Sequence, residues 1–143
     1  MSQLTVQILL GGGMIAIATA LQALTIGVSA MLRPHLARRL GRLRLWLMTG
    51  VIAGVALWML TGMMLGVWLW ALALIQLEAF GDLEQALYFA MASYTTLGYG
   101  DVLPPQDWRV FGALIGANGM IGFGLATAAM VEFVTRLRDE LIN

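Results

Sequence analysis

The chain contains no cysteine and a single histidine among 143 residues. Disulfides and thiol chemistry are therefore excluded, and a zinc site has too few soft ligands to form. Charge is also scarce. Charged residues make up 11% and the net charge is zero, against roughly 25% charged residues in soluble domains. No general attraction to nucleic acid follows from such a balance. Paired carboxylates and Ser/His/Asp sets in a shared pocket are absent too, which argues against an enzyme. Prolines number three, and two of them stand side by side at Pro104 and Pro105.

What fills the chain instead is hydrocarbon. Hydrophobic residues make up 60% and the mean hydropathy is +0.84. The few charges are segregated. None occurs from Met1 to Leu32, from Leu45 to Leu77, or from Val110 to Val131. Each run meets the length of about 20 apolar residues that a membrane-spanning helix needs. An all-α membrane protein with three spanning helices is the expected fold. The first run lacks a positive leading region and is too long for a signal peptide, so it is expected to be a retained, peripherally packed helix over 1–32.

Between the first two runs lies "RPHLARRLGRLR", residues 33–44, with five of the eight arginines. Arginine-rich loops stay on the cytoplasmic side. This segment is read as a basic cytoplasmic loop that anionic lipid could also bind. The N-terminus is then outside. The second helix, 45–77, runs outward to Glu78, Asp82 and Glu84. The third, 109–137, returns inward to Arg136 and Arg138, ahead of a short tail at 138–143. Trp46, Trp68, Trp70 and Trp108 fall near helix ends, as interfacial aromatics do. Trp58 falls mid-span and is expected to pack on another helix.

The second helix would reach roughly 50 Å at about 1.5 Å per residue, so it must tilt or project. Gly50, Gly54, Gly62 and Gly66 form two GxxxG pairs on one face, and Gly112 and Gly116 form another; all are read as helix-packing sites. Gly11 to Gly13 carry no functional reading.

The segment 78–109 has both ends on the outer side. Its middle, "LEQALYFAMASY", is too short to span and too apolar for an ordinary loop. A short re-entrant helix is expected at 83–94, with Asp82 as its N-cap and Gln85 completing a capping-box pattern. Pro104 and Pro105 then forbid helix. Between them lies "TTLGYGD", residues 95–101. Irregular backbone at membrane depth is tolerated only where protein buries it or where it lines water. Gly98 and Gly100 reach φ > 0 without steric cost. Alternating them with ordinary residues lets successive carbonyls point one way, a ladder suited to a dehydrated monovalent cation. The negative end of the preceding helix dipole favours the same charge. One copy supplies one wall, so closed cyclic assembly is implied.

"TTLGYGD" resembles the selectivity-filter signature of potassium channels, usually TVGYG. "NGMIGFGLATAAMVEF", residues 118–133, resembles the inner helix of the bacterial two-helix members of that family. The likeness spans roughly 45–137. It implies a homotetramer conducting K+ through four filters, in the plasma membrane, with the C-terminus cytoplasmic. Thr96, Leu97, Gly98, Tyr99 and Gly100 would form the filter. The carbonyls of Thr96, Leu97, Gly98 and Tyr99 and the Thr96 hydroxyl would bind K+, with the Tyr99 side chain turned away from the pore. Thr95 would cap the pore helix. Asp101 and Trp108 would brace the outer mouth, with Tyr88 hydrogen-bonding behind the filter. Gly119 would be the inner-helix hinge; Phe123 and Thr127 would line the cavity.

Leu97 departs from the usual valine, and Ala92 stands where some relatives have a glutamate. The uncharged first helix gives no support for an arginine-type voltage sensor, and the few residues after Leu137 leave no room for a cytosolic ligand-binding domain. Asn118 is expected to face either the cavity or a neighbouring helix. Glu132 is expected to join either a pore ring of carboxylates or an i,i+4 pair with Arg136, the latter preferred. His35 is read as a solvated loop residue. A weakly selective cation channel and a non-conducting regulatory subunit are the alternative functions.

Overall fold

The computed structural model describes residues 2–40 and 45–142, with side chains described outside 37–45 and 140–143. Four helices account for nearly all of it: α1 (Gln3–Leu40), α2 (Leu45–Gln76), α3 (Leu83–Tyr94) and α4 (Arg109–Ile142). There is no strand among the described residues. A single 3-10 turn, Gln106–Trp108, leads into α4. Three helices are long and apolar enough to cross a membrane, within Gln3–Leu36, Trp46–Gln76 and Gln106–Asp139. The short α3 is wedged between α2 and α4, and α1 lies along both.

The core follows from this wedge. Val67, Trp70, Ala71 and Leu74 of α2, Ala86 and Ala90 of α3 and Ile115 of α4 are all fully buried. Trp70 carries its indole N–H inward, where it donates to the Asn118 side-chain oxygen at 2.7 Å. A buried polar group without a partner is costly, and here each satisfies the other. Asn118 thus faces a neighbouring helix rather than a cavity. The Phe111 ring packs edge-to-face with those of Trp70 and Trp108, with centroids 5.0 and 6.0 Å apart.

α1 differs from expectation in length and in intimacy. It does not stop at residue 32 but runs through Pro34 to Leu40, so the described part of the basic 33–44 segment is helix rather than loop. A proline removes one hydrogen bond, a loss that spanning helices absorb locally. Residues 41–44, and the side chains of Arg38, Arg39, Arg42 and Arg44, lie outside the described residues. α4 likewise continues past 137 to Ile142, so most of the expected tail is helical.

The face that α1 buries is small and polar: Gln7, Ala18, Gln22, Thr25 and Ser29. Gln7 accepts the Phe111 N–H at 3.0 Å. That N–H belongs to the first turn of α4, where no intrahelical acceptor exists. α1 therefore caps a helix 104 positions further on and is keyed into the domain, not merely laid against it. Gly11 lets the Leu114 side chain in, and Gly62 of α2 faces the Gln22 and Thr25 side chains. The mid-span Trp58 does pack on another helix, donating to the Thr25 carbonyl at 2.8 Å. Of the α2 glycines read as packing sites, Gly62 and Gly66 are in contact, whereas Gly50 and Gly54 face open space.

The corner from α2 to α3 is tight. The Glu78 N–H bonds the Ile75 carbonyl and the Ala79 N–H bonds the Leu74 carbonyl, both at 3.0 Å. This is a Schellman closure, whose left-handed residue is usually glycine. Here it is Glu78, at φ 53°. A left-handed L-residue costs about 1–2 kcal/mol, partly offset by the chain entropy of glycine. Glu78→Gly is expected to raise stability by up to about 1 kcal/mol, read as a higher melting temperature of the solubilised protein. An unchanged or lower midpoint would show that the side chain contributes more than the strain removes.

Candidate ion-binding segment

α3 forms where its capping residue predicts. Asp82 is extended, and its carboxylate accepts the Gln85 N–H at 3.2 Å. The helix ends at Tyr94, and Thr95 closes it. The Thr95 hydroxyl donates to the Met91 carbonyl at 2.8 Å, and its N–H reaches the same oxygen at 3.0 Å.

The next three N–H groups also turn back onto the last turn of α3. Thr96 donates to Ser93, and both Leu97 and Gly98 donate to the Ala92 carbonyl, at 2.9 and 3.1 Å. No peptide bond in the described chain is cis. In a trans peptide the C=O points opposite to the N–H of the following residue. The carbonyls of Thr96 and Leu97 must therefore both point away from α3, on the same side. No described hydrogen bond ends on the carbonyls of Thr96, Leu97, Gly98 or Tyr99. The backbone alternates as well: φ is 59° at Thr96, 56° at Gly98 and 77° at Gly100. The two glycines were expected there; a β-branched threonine was not. Its left-handed φ is held by the two hydrogen bonds that flank it.

The side chains of this segment are largely uncovered. Leu97 and Tyr99 are both more than half exposed in the single chain. At its far end the Tyr88 hydroxyl donates to both oxygens of Asp101, at 3.1 and 2.8 Å. Trp108, expected at the same mouth, has its ring against Phe111 among the described contacts. Among the described hydrogen bonds, Tyr88 ties Asp101 to α3. The carboxylate that accepts its proton holds the Tyr88 phenol above the ordinary tyrosine value. A raised phenol keeps its stabilising contribution below the unfolded value of about 10 and loses it as pH climbs through the higher folded value. The melting temperature of the solubilised protein is therefore expected to hold up to about pH 10 and fall above it. Tyr88→Phe should lower the neutral-pH value and remove that part of the alkaline fall; equal alkaline slopes would contradict the assignment.

Gly119, expected as a hinge, lies against the end of α3. A Cβ there would fall on the Tyr94 main chain, 2.7 Å from its carbonyl carbon. α4 is continuous through it. Gly112 and Gly116 also lie against α3 or its flanking loop, near Phe89, Pro104 and the Ser93 carbonyl, as packing glycines should. Phe123 and Thr127 are exposed in the single chain. Thr127 borders an open apolar groove between α2 and α4, with Leu57, Leu60, Met130 and Val131. Glu132 and Arg136 form the i,i+4 pair at 2.7 Å.

No group of three or more metal-ligating side chains occurs among the described residues. What the segment offers a cation is main-chain oxygen. Three helices long and apolar enough to span, and a short helix followed by the outward carbonyls of Thr96 and Leu97, describe a membrane protein. The profile of the ion channel family matches residues 47–136, from the start of α2 through most of α4. The chain belongs to the ion channel family. No curated protein and no solved structure matches it.

Proposed function

We propose that this chain is the subunit of a homotetrameric potassium channel, in which four 95–101 segments surround a common axis. The observation that carries the reading is the pair of peptide planes after Thr96 and Leu97. Their N–H groups are engaged by Ala92, which leaves both carbonyls aimed off the helix, with no described hydrogen bond ending on them. Rings of backbone carbonyls replace the hydration shell of K+ in potassium filters. Thr96, Leu97, Gly98 and Tyr99 supply those oxygens, and the Thr96 hydroxyl lies at the innermost end. K+ is the cargo.

The protein sits in the plasma membrane with its N-terminus outside and its C-terminus in the cytoplasm, since the arginines cluster at the ends of α1 and α4. α4 lines the path, with Phe123 and Thr127 on its uncovered face, and α2 lies outside it. The basic end of α1 meets anionic lipid. Purified protein in liposomes tests this reading. An outward K+ concentration gradient is expected to drive K+ efflux, and cross-linking is expected to stop at four subunits. Absence of flux from a stable tetramer would favour a non-conducting regulatory subunit.

A further inference from the structure

The Tyr94 side chain is enclosed at the end of α3, only 2% exposed. Three glycines from two helices make room for it. A Cβ on Gly66 of α2 would lie 3.3 Å from the Tyr94 hydroxyl. One on Gly122 of α4 would lie 2.5 Å from the same oxygen but 3.4 Å from Cζ. One on Gly119 would meet the Tyr94 main chain instead. The phenol thus stands in a slot with one wall on each long helix, and its backbone rests on a third notch a turn away.

We propose that Tyr94 is a positioning residue that sets where the carbonyls of Thr96 and Leu97 stand relative to α2 and α4, and hence how well the path discriminates between cations. The N–H groups of Thr95, Thr96, Leu97 and Gly98 return to the carbonyls of Met91, Ala92 and Ser93. Those three residues form the turn that ends in Tyr94. Whatever fixes this turn against the spanning helices also fixes the first two cation-facing oxygens. The Ala92 and Ser93 side chains are too short to reach far and Met91 is exposed, so the buried phenol is the lever that fixes it between α2 and α4.

The proposal rests on the cation-channel reading, and the geometry separates the two glycines of α4. At Gly122 the clash involves only the hydroxyl oxygen, so removing that atom should relieve it. At Gly119 the clash is with main chain, so changing the side chain should not. The experiment compares full-length wild type with Y94F, G122A, G122A/Y94F, G119A and G119A/Y94F in liposomes. The K+/Na+ permeability ratio and the melting temperature are both measured. G122A is expected to lower the ratio about tenfold, the effect of a modest overpacking strain. G122A/Y94F is expected to return to within about threefold of Y94F, and the melting temperature of G119A/Y94F should show no recovery over that of G119A.

A G122A ratio equal to wild type, or one that Y94F leaves low, overturns the proposal while leaving the channel reading intact. Recovery of melting temperature without recovery of the ratio also overturns it, by reducing Tyr94 to packing. If wild type passes no cation, the channel reading fails and the positioning role fails with it; the melting temperatures then still report whether the slot exists.

Discussion

Replacing Gly119 by alanine is expected to leave no functional protein. The new methyl would overlap the Tyr94 main chain. Overpacking a tight site costs about 1–3 kcal/mol when side chains can move aside. Here both parties are backbone, on α3 and α4, so the cost lies at or beyond the upper end. The change is expected to separate α3 from α4 and displace the 95–101 segment with it. The hinge role implied by the family resemblance gives another result. A hinge glycine turned to alanine stiffens the helix, by about 1 kcal/mol of propensity, and yields folded channels with altered opening. Gly124→Ala is the control, because no atom lies within 4 Å of the added methyl. It should be neutral or stabilise α4 by up to about 1 kcal/mol. Expression, melting temperature and flux of the two variants decide between contact and hinge.

Gly98→Asp is expected to remove flux while sparing most of the fold. At φ 56° an L-residue is strained, by about 1–2 kcal/mol, and aspartate tolerates that region better than most. The single chain has open space there, with nothing within 4 Å of a Cβ. An isolated subunit should therefore accept the change with a modest loss of melting temperature. Four carboxylates brought to one axis should not be accepted, and conduction should cease. If Gly98→Asp conducts like wild type, the 95–101 segment does not line the path.

The elements that function depends on were the most legible ones. The bounds of α3, its Asp82 cap and the left-handed glycines all rest on local rules that a sequence displays. The apolar runs exposed the three spans for the same reason. What stayed hidden was long-range. Nothing local announces that Gln7 caps α4, that Asn118 and Trp70 satisfy each other, or that Tyr94 needs three glycines from two helices. Thr96 was hidden differently: a β-branched residue carries no signal for φ > 0, and only the hydrogen bonds to Ala92 and Ser93 hold it there. The arginines up to Arg39 were read as loop because charge marks a boundary of the membrane. It does not mark the end of a helix, and arginine is a good helix former.

The central claim is that backbone oxygens of Thr96 to Tyr99 select K+. It is tested most directly by the reversal potential of the reconstituted wild type, with K+ on one side of the bilayer and Na+ on the other. The account predicts a potential close to the K+ equilibrium value, with K+ permeability far above that of Na+. A reversal potential near zero, meaning equal permeability, would contradict it.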